Sequence, residues 1–257
     1  MRLKPVISIG ALAAMAVALS ACNAPLNRAY KRAVIDRALS SAPYAAQPSQ
    51  VVARELEFAR AAREDGQWTA FRAFAADDAL LHGRNGPVPA KQVLATLDDP
   101  EKAVEWSPRT VAMSCDGTMA VSRGRFLDPE GYVGTYVTVW EREDYDDDYE
   151  WSYDVGGRDD PQPVREEPED GAILVTAYDD IQGVVADCPK AGETVPRPVF
   201  TVRPGSEDLG AEVSADGTLA WGWVHLPGGK KFVYARHWKD GEWTDVFRET
   251  LASPPEE

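Results

Sequence analysis

The sequence predicts an α+β protein in which short helices come first and antiparallel strands follow. Three observations carry this reading. Apolar residues recur at helical spacing as far as Leu97. From Val104 onward the period changes to two, as it does along a half-buried strand. Asp116-Gly117, Asp216-Gly217 and Asp240-Gly241 punctuate the second part as hairpin turns do.

Taken in order, residues 1–21 read as an export signal. Arg2 and Lys4 precede an uncharged apolar run from Val6 to Leu19, shorter than the about 20 residues a membrane span needs. Leu19-Ser20-Ala21-Cys22 resembles a bacterial lipobox, in which small residues precede a cysteine that becomes diacylated. The resemblance implies a lipoprotein signal peptide, a membrane lipid attached through Cys22, and a place in the bacterial cell envelope facing the periplasm. Two or more acyl chains bury enough methylene groups for stable attachment. In such lipoproteins an aspartate after the cysteine favours the inner membrane; Asn23 stands here and favours the outer one.

Residues 22–48 form a basic helix and a linker. Arg28, Lys31, Arg32 and Arg37 oppose only Asp36 between Asn23 and Pro43. This stretch either lies on anionic headgroups, at about 1 kcal/mol per cation, or is a solvated helix. Without residues 1–21 the chain carries 25 basic against 42 acidic residues, a net charge of −17. That balance disfavours nucleic acid as a partner, since phosphates need the opposite sign.

Residues 49–157 are read as one domain. The spacing predicts a helix from Ser49 to Asp65 with Val52, Leu56, Ala59 and Ala62 inward, stopped by Gly66. A second helix, Gln67 to Ala75, carries Trp68, Phe71 and Phe74. A short strand follows at Ala79 to His82, then a brief helix at Ala90 to Leu97. Strands are predicted at Glu105–Cys115, Thr118–Leu127, Tyr132–Glu143 and Trp151–Val155. Seven carboxylates stand between Glu141 and Glu150, enough to make that hairpin protrude.

The ordered set Glu57-Phe-Ala-Arg60, Trp68-Thr-Ala-Phe71, Phe74-Ala-Ala-Asp-Asp-Ala79, Thr138-Val-Trp140 and Trp151-Ser-Tyr-Asp154 resembles the nuclear-transport-factor-2-like superfamily, in particular its SnoaL-like group. The resemblance implies helices packed on a curved antiparallel sheet, a cone-shaped pocket between them, and a homodimer through the open sheet face. The acidic insertion departs from the short turn usual in that group.

Residues 158–170 read as an acidic, Pro-rich linker, and residues 171–257 as a smaller antiparallel β meander. Ser114-Cys-Asp-Gly-Thr-Met-Ala120 and Ser214-Ala-Asp-Gly-Thr-Leu-Ala220 are alike, so residues 209–251 either repeat 109–155 or merely use the same turn chemistry.

With Cys22 acylated, Cys115 and Cys188 remain as a pair. Export favours a disulfide over two buried thiols. The three histidines, His82, His225 and His237, show no ligand spacing, and no cofactor or metal is expected. Neither a G-x-S-x-G elbow nor a phosphate loop is present. The pocket candidates implied by the resemblance are His82, Tyr132, Tyr136, Trp140 and Asp154. Strand alternation puts Trp151, Tyr153 and Val155 on one face, which leaves Asp154 outward or at the pocket rim with an ordinary acidity. The expectation is therefore a lipoprotein that binds a small apolar ligand or a protein partner without chemistry. The alternative is a SnoaL-like acid–base enzyme of isomerase, dehydratase or hydrolase type, acting on a small cyclic or carbonyl substrate.

Overall fold

The computed structural model describes residues 46–164, 181–190, 192–200 and 208–253. Cys22, the basic helix after it and residues 165–170 of the second linker lie outside the described residues. Ala46–Glu257 forms one compact unit.

Helix α1 spans Pro48–Glu64, with proline in its first turn, where a missing N–H costs nothing. Helix α2 spans Gln67–Phe74. Its free N–H groups are capped from outside, because Trp68 and Thr69 donate their amides to the Asp99 carboxylate at 2.6 and 3.0 Å. Strand β1, Ala75–Gly83, leaves α2 without a loop and pairs with β2, Gly86–Pro89. A one-turn helix α3, Ala90–Leu94, follows. A four-stranded meander comes next: β3 Glu105–Met113, β4 Met119–Leu127, β5 Val133–Glu141 and β6 Glu150–Arg158. Strand β7 is Gln182–Val185, and a second meander runs through β8 Asp208–Val213, β9 Leu219–Leu226, β10 Lys230–Lys239 and β11 Glu242–Leu251.

These strands make two sheets. The first has seven strands in the order β2-β1-β6-β5-β4-β3-β7; the second has four, β11-β10-β9-β8. The helices lie on one face of the first sheet, where Val51, Phe58, Ala62 and Phe74 pack on Val111, Met113, Trp140 and Trp151. The second sheet lies on the other face, with Leu219, Trp221, Trp223 and Val233 packed on Val121, Val137, Val139 and Tyr153. The molecule is thus layered as helices, sheet and sheet.

This overturns the expected fold class. The protein is mostly β, with eleven strands and three α-helices among the described residues, and no cone of helices wrapped by a curved antiparallel sheet. The large sheet is mixed, since β1 runs parallel to β6 and β3 parallel to β7. The reason lies in β5, which is buried along nearly its whole length on both faces. A strand apolar on both sides needs two covers. Three short helices supply one of them, and the C-terminal meander supplies the other. The sheet face that a second copy would use is occupied by β8–β11 of the same chain.

The two meanders share strand order and turn chemistry. In each first turn the serine hydroxyl donates to the aspartate two residues on, at 2.6 Å in both Ser114–Asp116 and Ser214–Asp216. The aspartate then accepts the amide of Thr118 or Thr218, at 3.0 Å in both. Gly117 and Gly217 follow in the left-handed region, at φ +70° and +74°. The turns also bond to each other, with the Cys115 amide donating to Thr218 Oγ1 and the Asp116 amide to Asp216 Oδ2, both at 2.9 Å.

Cys115 is joined to Cys188 in a disulfide with Cα atoms 5.1 Å apart. It ties the β3–β4 turn to the segment that follows β7.

Candidate functional site

A cavity of about 160 Å³ lies between the helices and the first sheet. Helix α1 contributes Phe58 and α2 contributes Gln67 and Phe71; the sheet contributes Trp106, Phe126, Tyr136, Thr138, Asp154 and Gly156. Two cross-strand glycine–aromatic pairs shape its floor. Gly124 of β4 faces Tyr136 of β5, and Phe126 of β4 faces Gly134 of β5. A Cβ on Gly124 would stand 2.4 Å from the Tyr136 ring, and one on Gly134 2.2 Å from that of Phe126. The rings therefore lie flat across bare backbone. Phe58 and Phe71 of the helices and Trp106 of β3 meet edge to face, with interplanar angles of 61°, 69° and 65°. Next to Asp154, Gly156 is exposed and has room above it, the nearest atom to a Cβ being 3.6 Å away. The cavity opens there.

Asp154 is the one ionisable carboxyl lining this space among the described residues. Thr138 donates its hydroxyl to Oδ2 at 2.7 Å, and no donor reaches Oδ1 among the described residues. Asp154 keeps some accessible surface because it lines the cavity, yet the protein around it withholds bulk solvent. Desolvation pushes its pKa up to about 7; the Thr138 bond opposes this and the nearby Glu55 adds to it. Ionisation near neutrality suits a group that responds to what enters the cavity.

Behind Tyr136 lies Glu55 of α1, with no accessible surface. Its carboxylate accepts hydrogen bonds from the Ser122 hydroxyl, from Trp140 Nε1 at 3.0 Å and from the Tyr136 hydroxyl at 3.2 Å. Burial still raises its pKa against bonds from Ser122, Trp140, Tyr136 and Trp106. Glu55 fixes the orientation of Tyr136 and so the cavity wall.

Of the residues singled out from sequence, Tyr136 and Asp154 line this cavity. Trp140 is fully buried core beneath Glu55 rather than cavity wall. Tyr132 is exposed at the far end of the sheet, with the Arg158 guanidinium 4.2 Å over its ring. His82 lies on the opposite face, between the sheets. Its Nδ1 is 2.6 Å from the Tyr153 hydroxyl and its Nε2 3.0 Å from Nδ1 of His225. Burial, with His225 and Lys231 nearby, lowers its pKa to about 3, so it stays neutral.

The outward placement of Asp154 is corrected by a bulge. Trp140 pairs with Trp151, and Val139 with Tyr153, so Ser152 is an extra residue in β6. Trp151 therefore packs with the helices while Tyr153 and Val155 pack with the second sheet. Asp154 then points to the helix side and into the cavity.

No protein-family model and no curated protein matches this chain.

Sequence reasoning missed Glu55, Phe58, Trp106, Ser122 and Thr138. A signal for Glu55 existed. Of the face inferred from Val52, Leu56, Ala59 and Ala62, Ala59 and Ala62 are buried, but Leu56 is exposed and Val52 half-buried; Val51, Glu55, Phe58 and Ala62 share one helical face. The carboxylate disguised that face as a polar one. Among the described residues no group of three or more His, Cys, Asp or Glu is arranged to hold a metal ion.

Proposed function

We propose that this chain is a lipid-anchored, periplasm-facing envelope protein that binds a small, largely apolar molecule in the cavity between α1, α2 and the seven-stranded sheet. The observation that carries the reading is the cavity itself: about 160 Å³, walled by Phe58, Phe71, Trp106 and Phe126. An apolar cavity of about 150 Å³ is known to admit benzene. The lipobox at Cys22 supplies the anchor. The Cys115–Cys188 bond fits an oxidising compartment.

The test is titration of the ¹⁵N-labelled protein with toluene. Shifts centred on Trp106, Phe126 and Gly156, abolished by Gly156→Leu, are expected. Shifts scattered over the surface, or none, would reject the reading.

One observation favours a second reading, acid–base chemistry. Asp154 at about 7 is matched to proton transfer near neutral pH. In that case Asp154 would remove a proton beside a carbonyl group and return it. Exchange of α-protons of cyclohexanone in D₂O, catalysed by the protein and lost in Asp154→Asn, would support this reading; exchange at the buffer rate would reject it.

A further inference from the structure

Resting on the ligand-binding reading above, we propose that the molecule this cavity takes is a small organic ammonium ion, held by the aromatic walls and by Asp154. Three features of the wall converge on a cation. First, Phe58 and Phe71 of the helices and Trp106 of β3 stand at steep angles to one another, while Tyr136 and Phe126 line the space from β5 and β4. Aromatic faces arranged around a small space attract a cation through their negative quadrupoles, and such cages are a known solution for alkylammonium groups. Second, the only charge-bearing side chain lining the space among the described residues is Asp154, and no lysine or arginine lines it. An ionised carboxylate in an apolar cavity is costly unless a countercharge meets it. The wall supplies none, so the ligand does. Third, Oδ1 of Asp154 has no donor among the described residues, while Thr138 holds Oδ2. An ammonium N–H completes that carboxylate, and the alkyl or aryl remainder of the ligand fills the ring-lined space. A neutral hydroxyl could donate to Oδ1, but it would leave the charge of the carboxylate unpaired.

The charged and titratable groups around Asp154 are compatible with this. Glu55 of α1 lies behind Tyr136 and raises Asp154. Tyr136 of β5 and Tyr153 of β6 both stay protonated, because burial holds them well above the ordinary phenol range. Arg109 of β3 acts on Tyr136, and α2 contributes the neutral Gln67. Arg109 does not line the space, so the lining charge an entering cation meets is the Asp154 carboxylate, with Glu55 behind Tyr136. Binding should strengthen as Asp154 ionises.

The experiment is a calorimetric titration of the full chain, in mild detergent, with benzylammonium, benzyl alcohol and toluene at pH 8 and pH 5.5. Wild type and Asp154→Asn are compared, the variant being checked for folding by its amide spectrum. The expected result is that benzylammonium binds at least tenfold more tightly than benzyl alcohol at pH 8. That preference should vanish at pH 5.5 and in Asp154→Asn. Phe126→Leu, which removes one ring at the mouth, should lower benzylammonium affinity more than toluene affinity. Toluene or benzyl alcohol binding as tightly as benzylammonium at pH 8 would overturn the ammonium assignment and leave the apolar cavity standing. Failure of all three ligands to bind would overturn both.

Discussion

At the scale of single residues, Glu55 and Asp154 are both withdrawn from bulk water on the helix side of the first sheet, yet they are treated differently. Glu55 is enclosed by donors; Asp154 has one donor and an open side. Removing Glu55 strands the hydroxyls of Ser122 and Tyr136 and the indole N–H of Trp140, each an expensive group to leave unpaired in the interior. Glu55→Ala is expected to destabilise by roughly 3–5 kcal/mol, and Glu55→Gln, which keeps an acceptor, by much less; chemical denaturation of the two variants checks it. Asp154 behaves in the opposite sense. Because folding raises its pKa from 3.8 to about 7, the folded state holds the proton more tightly than the unfolded chain. Its contribution to stability is fully present below about pH 4, declines as the pH rises toward 7, and is flat above. Asp154→Asn should therefore leave stability unchanged near pH 4 and raise it above pH 7. The gain is about 1–3 kcal/mol, less than the full shift would give because the cavity admits water. Urea denaturation of both proteins at the two pH values measures this, and a destabilised variant at pH 8 would contradict it.

At the scale of elements, the cavity depends on small departures from regular strands. Gly124→Ala would drive a methyl group into the Tyr136 ring and the Ser107 carbonyl. The ring is expected to swing off its glycine, weakening the Tyr136–Glu55 bond and costing about 1–3 kcal/mol; thermal unfolding reads the loss, and an unchanged midpoint would show that the ring is free to move. Much at this scale was legible in the sequence. Strands β9, β10 and β11 lie where the Asp216-Gly217 and Asp240-Gly241 turns put them, since turn chemistry is local. Helices α1 and α2 were legible from period and stop signals. The inward face of α1 was not, because a buried glutamate sits where an apolar residue was sought. Nor was the direction of Asp154, because the extra residue Ser152 leaves no trace in the alternation of Trp151, Tyr153 and Val155. The parallel pairings of β1 with β6 and β3 with β7 join segments tens of residues apart, and no local pattern encodes them.

At the scale of the whole molecule, one sheet serves two cores. Its helix side holds the cavity; its other side is sealed by the second sheet, whose turn bonds to the first through Thr218 and Asp216. The two-sided apolar character of β5 was visible as Val133, Val137 and Val139 on one face against Tyr136 and Trp140 on the other. In the folded chain it takes two covering layers, whereas the sequence reading supplied only the helices. The disulfide closes a loop between residues 73 apart, and such closures stabilise by about 2–4 kcal/mol; reduction of the intact protein should lower its thermal midpoint, and an unchanged midpoint would show that the sheets hold without it. The proposed lipid anchor belongs to this scale as well. Cys22→Ser should move the protein from the membrane pellet to the soluble periplasmic fraction, and a variant still in the pellet would reject acylation as the attachment.

The claim on which the functional account turns is that Asp154 lies on the inner wall of a water-poor, ring-lined cavity. The most direct measurement is a ¹³C titration of its side-chain carboxyl in the intact protein. A midpoint near 7 is the expected result. A midpoint near the ordinary 3.8 would mean that the carboxyl is solvated, and the account of the cavity would be contradicted.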